Sequence, residues 1–281
     1  MLGNRLYRNN GDSTFTRINE GPGADVGYLS AGCDWGDYDN DGFLDLFLAS
    51  GMLGNCLYHN SGNGTFTQIA AGPGADSGYY SIGCDWGDYD NDGFLDLFVA
   101  NGTLLDPQPT QLNNFLYHNN GNSNSWLKVK LVGTVSNRAA IGAKVRVLAS
   151  VGGTARWQLR EVSVGGNLSG HNLLPHFGLR DAAKADVVRI EWPSGIVQEL
   201  RDVPANQTLA VTEPARLQMT QPCQLQIQCW KDMVFGIETS SDLLNWTPLA
   251  TVTNLNLTGC VQWTDPTEPS LATRFYRTVK Q

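Results

Sequence analysis

The apolar positions of this chain fall in short runs, cut at close intervals by Gly, Asn and Pro. Runs of that length and punctuation predict strands rather than helices. Over residues 1–122 the runs recur as a unit: N-x-L-Y-x-N, T-F-T-x-I, G-P-G-A-D, S-x-G-C-D-W-G, an acidic loop, then F-L-D-L-F-L-A or F-L-D-L-F-V-A. Residues 1–51 and 52–102 align without a gap and share 38 of 51 positions, so the two copies must fold alike. A third copy opens with N-N-F-L-Y-H-N-N-G at 113–121, after the insertion L-L-D-P-Q-P-T-Q. A period of this size with about four strands to the unit is that of a propeller blade.

The pattern changes at Trp126. Leu127, Val129 and Leu131 alternate with Lys128 and Lys130, the mark of a half-buried strand. Val145 and Val147 repeat the alternation, as do Val188, Ile190 and Trp192, and Q-T-L-A-V-T closes the stretch. This predicts a small antiparallel sandwich or barrel over 126–213. After Glu213-Pro214, Leu225, Ile227 and Cys229 alternate with Gln226 and Gln228, and four further short runs follow. Residues 215–281 therefore read as a second small β-sandwich. The expected fold is all-β: a partial propeller of two full blades plus the start of a third over 1–122, then two sandwich modules.

Chemistry concentrates in D-Y-D-N-D-G-F-L-D, residues 37–45, which returns unchanged at 88–96. Asp37, Asp39, Asp41 and Asp45 stand at loop positions 1, 3, 5 and 9, with the carbonyl of Phe43 at position 7. Asp88, Asp90, Asp92, Asp96 and the carbonyl of Phe94 repeat the set. Hard Ca²⁺ takes six to eight oxygens from carboxylates, carbonyls and water. Gly42 and Gly93 permit the sharp turn that lets alternate aspartates converge. Two Ca²⁺ sites are expected. An EF-hand is excluded, because position 12 is Leu48 or Val99 rather than a bidentate Glu. Asp/Asn/Gly clusters are also plain turn formers, but four carboxylates in nine residues repel one another unless a cation sits among them.

Net charge is −8, unevenly spread. Residues 1–126 hold three basic against fifteen acidic side chains, 127–214 eleven against seven, and 215–281 five against five. The acidic front argues against nucleic acid as a partner. No apolar run is long enough to span a membrane, and the first ten residues lack the apolar core of a signal peptide. The chain starts inside a unit, with Met1-Leu2-Gly3-Asn4 matching Met52-Leu53-Gly54-Asn55. Met1 is therefore expected to be an internal methionine of a longer gene with more repeats and a signal peptide. Cys33 and Cys84 share a repeat position and read as small core residues, and Cys56 aligns with Arg5 and Phe115, so that position needs no thiol. One pair among Cys223, Cys229 and Cys260 could bridge in an exported protein.

Other candidates read as structural. Tyr7, Tyr58 and Tyr117 share a repeat position and are expected in the core, with Tyr28, Tyr79 and Tyr80 in the core or at its rim. Asp25 and Asp76 fit turns, and Asp34 and Asp85 hydrogen bonds within the blade. His59 and His118 align with Arg8, which predicts solvent exposure. His171 and His176 lie five apart, but no Cys, Asp or Glu stands between Gly165 and Arg180 to complete a metal pair.

The D-x-D-N-D-G-x-x-D-L motif after W-G-D-Y resembles the FG-GAP/VCBS repeat. That resemblance implies propeller blades with Ca²⁺ in their loops, held by the eight aspartates and two Phe carbonyls named above. N-R-A-A-I-G-A-K-V at 137–145, H-F-G-L at 176–179, W-P-S-G at 192–195 and N-Q-T-L at 206–209 resemble the ASPIC/UnbV domain. The order of repeats and then this domain is that of the cartilage acidic protein-like family, which brings no catalytic residues to carry over. One departure is Arg180, where Gly is common, expected to alter only a turn. S-S-D-L-L-N-W-T-P-L and R-F-Y-R loosely resemble C-terminal modules of secreted bacterial proteins.

No nucleophile elbow, no H-E-x-x-H and no Ser or Cys paired with a His appears, so the chain is not expected to be an enzyme. The expectation is a calcium-binding protein, secreted or at the cell surface, that binds an extracellular protein or glycan, with self-association through an open blade edge. The alternatives are a Ca²⁺-dependent enzyme acting on polysaccharide, or a carbohydrate-binding protein using the eight Trp, most of which look buried in strand patterns.

Overall fold

The computed structural model of the chain describes residues 4–19, 21–23, 30–50, 54–74, 80–102, 113–164, 173–221, 224–256, 259–267 and 274–280. These residues form strands and turns, with two short 3-10 turns at the G-P-G segments and no α-helix among them. The fold is all-β.

In the repeats, β1 (Leu6–Asn9) and β2 (Phe15–Ile18) form a hairpin. A four-stranded antiparallel sheet follows in chain order, β3 (Ser30–Gly36), β4 (Asp45–Ser50), β5 (Cys56–Asn60) and β6 (Phe66–Ile69). Then comes a three-stranded sheet of β7 (Ser81–Gly87), β8 (Asp96–Asn101) and β9 (Phe115–Tyr117). Each sheet straddles a repeat boundary: Leu46, Phe47 and Leu48 of the first copy pair with Tyr58, Leu57 and Cys56 of the second. The expected two full units plus a start are thus divided out of phase, into hairpin, four-stranded sheet and three-stranded sheet. An alignment of repeats fixes the period but not the point in the cycle where a sheet begins.

The two larger sheets share a core of Phe47, Ala49, Leu57, Cys84, Trp86, Leu95, Leu97 and Val99. Asp34 ties them, its Oδ1 accepting from Trp35 N and its Oδ2 from Trp86 N in the next sheet, at 3.0 and 3.1 Å. It therefore bridges sheets rather than serving its own alone. Burial alternates with neighbours, not with sequence. Cys84, Trp86 and Tyr58 are buried, whereas Cys33, Trp35 and Tyr7 at the same repeat positions are exposed. β7 packs against the neighbouring four-stranded sheet, whereas the Trp35 ring on β3 meets Phe66 at the edge of its own sheet. The core placement expected for Cys33 and Tyr7 is corrected accordingly.

Over 125–212 two sheets enclose one core. One orders β13 (His176–Arg180), β10 (Ser125–Val132) and β16 (Gln207–Thr212). The other orders β12 (Thr154–Glu161), β11 (Lys144–Val151), β14 (Lys184–Glu191) and β15 (Val197–Pro204). β16 runs parallel to β10, against the all-antiparallel expectation. The long chain between them makes a parallel return possible. Leu127, Val129, Leu131, Val145, Val147, Phe177, Leu179, Val188, Ile190 and Trp192 fill the space between the sheets. At about 1.5–3 kcal/mol for each fully buried aliphatic or Phe side chain, this core makes a firm platform.

The last residues form two three-stranded sheets around Leu225, Ile227, Cys229, Phe235 and Ile237. Cys229 and Cys260 are both thiols; Cys223 lies outside the described residues. The tryptophans correct another expectation. Trp35, Trp157 and Trp230 are exposed, and of the eight only Trp86 and Trp192 are buried. Asp25, Asp76, Tyr28, Tyr79 and His171 lie outside the described residues, and Tyr80 is exposed. No helix of the described residues is long and apolar enough to cross a membrane.

Candidate metal centre

Each acidic loop enters from the end of one strand and leaves into the next, β3 to β4 and β7 to β8. Within the loop, Asn40 and Gly42 take φ of 59° and 92°, and Asn91 and Gly93 take 65° and 96°. That region is closed to most side chains and open to Asn and Gly. The aspartates curl inward onto the loop's own amides. Gly42 N donates to Asp37 Oδ2 at 3.0 Å, Asp41 N to Asp39 Oδ1 at 3.2 Å, and Phe43 N to Asp41 Oδ1 at 2.9 Å. Gly93, Asp92 and Phe94 repeat these bonds with Asp88, Asp90 and Asp92 at 2.9, 3.2 and 2.9 Å.

The result is convergence. One carboxylate oxygen from each of Asp37, Asp39 and Asp41 lies within 4.8 Å of the others, and so it is for Asp88, Asp90 and Asp92. Position 9 closes a second, overlapping group: Asp39, Asp45 and His59 in the first loop, Asp90, Asp96 and His118 in the second. Asp45 and Asp96 are held by backbone, accepting from Tyr38 N and Asn60 N, and from Tyr89 N and Asn119 N. Phe43 and Phe94 bring their position-7 carbonyls in the same loops. Their rings turn away, that of Phe43 under the Arg156 guanidinium at 4.5 Å.

The histidines were missed by sequence. His59 Nδ1 stands 3.3 Å from Asp39 and 3.2 Å from Asp45, off the line of a hydrogen bond, and His118 Nδ1 stands 3.5 and 3.3 Å from Asp90 and Asp96. His118 is exposed as expected and His59 is half-buried; the signal for their place beside the loops lay in the shared repeat position.

Electrostatics leave the first loop short of positive charge. Burial pushes the Asp37 carboxyl up to about 7; Arg160 opposes the rise, and Asp41 and Asp39 add to it. Burial likewise pushes Asp45 up to about 9 against the hydrogen bond from Asn60, with the other three aspartates adding. Asp41 is raised by burial too. Asp37 is 1% exposed, and its Oδ1 has no hydrogen-bond partner; the buried Asp88 Oδ1 has none either.

Both loops press against the sheets over 125–212. Gly178 N donates to Asp37 Oδ2 at 3.1 Å and Arg180 N to Asn40 O at 2.8 Å. Lys128 Nζ meets Asp88 Oδ2 at 2.5 Å, with both side chains 3% exposed. The strand alternation had put Lys128 on a polar face; instead it is buried at the junction. Gly93 O accepts from Asn40 Nδ2 and faces His176 Nε2, each at 3.1 Å, so three parts of the chain meet at one carbonyl. Burial lowers His176 to about 4, so it is neutral there. Asn119, Asn122 and Asn124 cap the first loop through the carbonyls of Tyr38 and Asp39.

Residues 3–48 and 37–99 match the family described as FG-GAP-like repeat, and residues 133–218 match that described as ASPIC and UnbV. This is an FG-GAP-like repeat protein with an ASPIC and UnbV domain. Cartilage acidic protein 1 of Mus musculus is 28% identical over 203 residues, 67% of this chain and 30% of that protein. The chain therefore spans about a third of the length of the curated relative it matches. Both repeat matches include the first acidic loop. The ASPIC and UnbV domain supplies His176, Gly178 and Arg180 to the junction, while Lys128 comes from β10 just ahead of the matched residues.

Proposed function

We propose that this chain is a non-enzymatic, calcium-binding extracellular protein whose ions brace the loops of a partial β-propeller, and that it acts by binding a protein or glycan. One observation carries the calcium reading. In each of two identical loops the position-1 aspartate has a buried, unpartnered oxygen and belongs to a set of three aspartates whose carboxylate oxygens gather within 4.8 Å. Oxygens on opposite sides of a Ca²⁺ at about 2.4 Å are about 4.8 Å apart, which suits these clusters. Asp37, Asp39, Asp41, Asp45 and the Phe43 carbonyl would hold one ion, and Asp88, Asp90, Asp92, Asp96 and the Phe94 carbonyl the other. Each ion would supply two positive charges to a crowded set of carboxylates.

The propeller reading is supported by the sequence of hairpin, four-stranded sheet and three-stranded sheet, in which equivalent residues sit in equivalent strands and the two larger sheets share a core. Such a stack leaves strand edges for further repeats or for a second copy. An extracellular setting suits a protein that depends on plentiful calcium, and the matched relative carries cartilage in its name.

A thermal melt decides the matter. Purified protein in EDTA is titrated with CaCl₂, beside Asp41→Ala and Asp92→Ala. Each filled site adds about 2.7 kcal/mol when free calcium is about a hundredfold over Kd. The melting temperature should climb in wild type and climb by only part of that rise in each variant. A melt indifferent to calcium would leave the loops as turns and end the reading.

A further inference from the structure

The position-1 aspartate is held alike in both loops. Its Oδ2 accepts two donors, one from the loop's own glycine and one from the sheets over 125–212; its Oδ1 is buried and unpartnered. The outside donor differs. At Asp37 it is the neutral amide of Gly178; at Asp88 it is the ammonium of Lys128. Arg160 acts on Asp37 and Arg180 on Asp41 through space, but neither forms an ion pair with them among the described contacts.

We propose that the sheets over 125–212 form part of both ion sites and make them unequal, with Gly178 and Lys128 as positioning residues that leave the first loop the tighter calcium site. This rests on the calcium reading above. A backbone amide aims the ligand carboxylate without opposing a dication. An ammonium in contact with a ligand carboxylate aims it equally well, cancels its charge and repels the ion. The second loop thus carries a built-in cation that keeps its shape when no metal is bound. Among the described residues no lysine or arginine pairs with an aspartate of the first loop, so the burial of Asp37 beneath β13 is offset in part by Arg160 at a distance and in full only when an ion arrives. Ion binding there and docking of β13 are then linked, each strengthening the other.

The Gly178 position tests this sharply. A Cβ there would come 2.2 Å from Asp37 Oδ2 and 2.5 Å from the Asn40 backbone, so alanine must push β13 off the first loop. Calorimetric CaCl₂ titrations of the full chain would compare wild type, Lys128→Met, Gly178→Ala and Asp41→Ala, with hydrogen exchange followed at the Gly178 and Arg180 amides. Wild type should show two affinities about tenfold or more apart, the tighter absent in Asp41→Ala. Lys128→Met keeps the volume, removes the charge, and should tighten only the weaker site, by about tenfold. Gly178→Ala should weaken only the tighter one. Calcium should slow exchange at Gly178 and Arg180 in wild type and not in Gly178→Ala. Two equal sites, or a weak site indifferent to Lys128→Met, would overturn the proposal while leaving calcium binding intact. Should Gly178→Ala not fold, Lys128→Met decides alone. Wild type that takes up no calcium would remove the underlying reading and this one with it.

Discussion

The loops at 37–45 and 88–96 are the same nine residues with nearly the same backbone angles and internal hydrogen bonds, yet they live in different places. Asn40 is fully buried while Asn91 is exposed, and Asp39 and Asp41 are part-buried while Asp90 and Asp92 are exposed. The first loop is roofed by the second loop, by Asn119, Asn122 and Asn124, and by β13. The second meets Lys128, His176 and the Trp126 ring, against which a Cβ on Gly93 would collide. Local sequence sets the shape of the loop. What packs on it sets whether its position-1 carboxylate meets a lysine ammonium or a backbone amide.

The same substitution in the two loops should therefore have opposite effects. In EDTA, Asp88→Asn strands the buried Lys128 ammonium and should cost about 3 kcal/mol, the usual penalty for breaking a buried pair by removing one partner. Asp37→Asn removes a buried carboxyl from the crowded acidic set while a side-chain oxygen remains for the Gly42 and Gly178 amides, so metal-free protein should hold or gain stability. Urea unfolding of both variants in EDTA reads this directly. Equal losses would show that the loops are equivalent after all and that the lysine contact carries no energy.

Next in size is the pH response of metal-free protein. Asp37 and Asp45 hold their protons in the fold to about 7 and about 9, whereas in the unfolded chain they lose them near the ordinary 3.8. Stability from these groups is complete below the unfolded value and is lost as pH rises through the folded ones. His176 runs the other way: lowered to about 4, it costs stability as pH falls from about 6.5 through that value. Between about pH 6.5 and 9 the aspartates act without that opposition. Urea midpoints in EDTA should fall across that range, calcium should flatten the fall, and Asp37→Asn should remove part of it. A flat metal-free profile would mean that burial does not crowd the first loop as described.

How far the sequence reached follows from the same contrast. Period-two alternation is local, so Leu127, Val129, Val145, Val147, Leu225 and Ile227 were readable and are buried. The loop turn was readable because Asn and Gly tolerate its backbone angles, and the spacing of the aspartates announced that they would gather. Burial of the repeats was not readable. Trp35 and Trp86 are one residue in sequence terms and differ because different elements flank them. Lys128 was hidden for a similar reason: alternation names the polar phase of a strand but not a carboxylate waiting on the far side. The parallel return of β16 and the half-unit offset of the sheets depend on pairings between distant segments, which no local pattern records.

The smallest expected effect isolates how β13 grips the first loop. Arg180 ends that strand at φ 51°, a conformation that suits glycine, and its amide donates to Asn40 O. An L-residue there costs about 1–2 kcal/mol of strain, and glycine loses about 0.4–1 kcal/mol through the freedom it gives the unfolded chain. Arg180→Gly should therefore raise stability by about half a kcal/mol. The amide bond to Asn40 belongs to the backbone and survives the change. Burial raises the Asp41 carboxyl, and the guanidinium weakly opposes that rise through space. Its removal should tighten calcium at the first loop by less than about threefold, since the side chain is exposed and screened, and leave the second loop unchanged. A loss of stability instead would mean that the side chain, not the strand backbone, makes the contact. The difference between the loops would then be one of surface charge that salt could erase, rather than one built into the way the sheets meet.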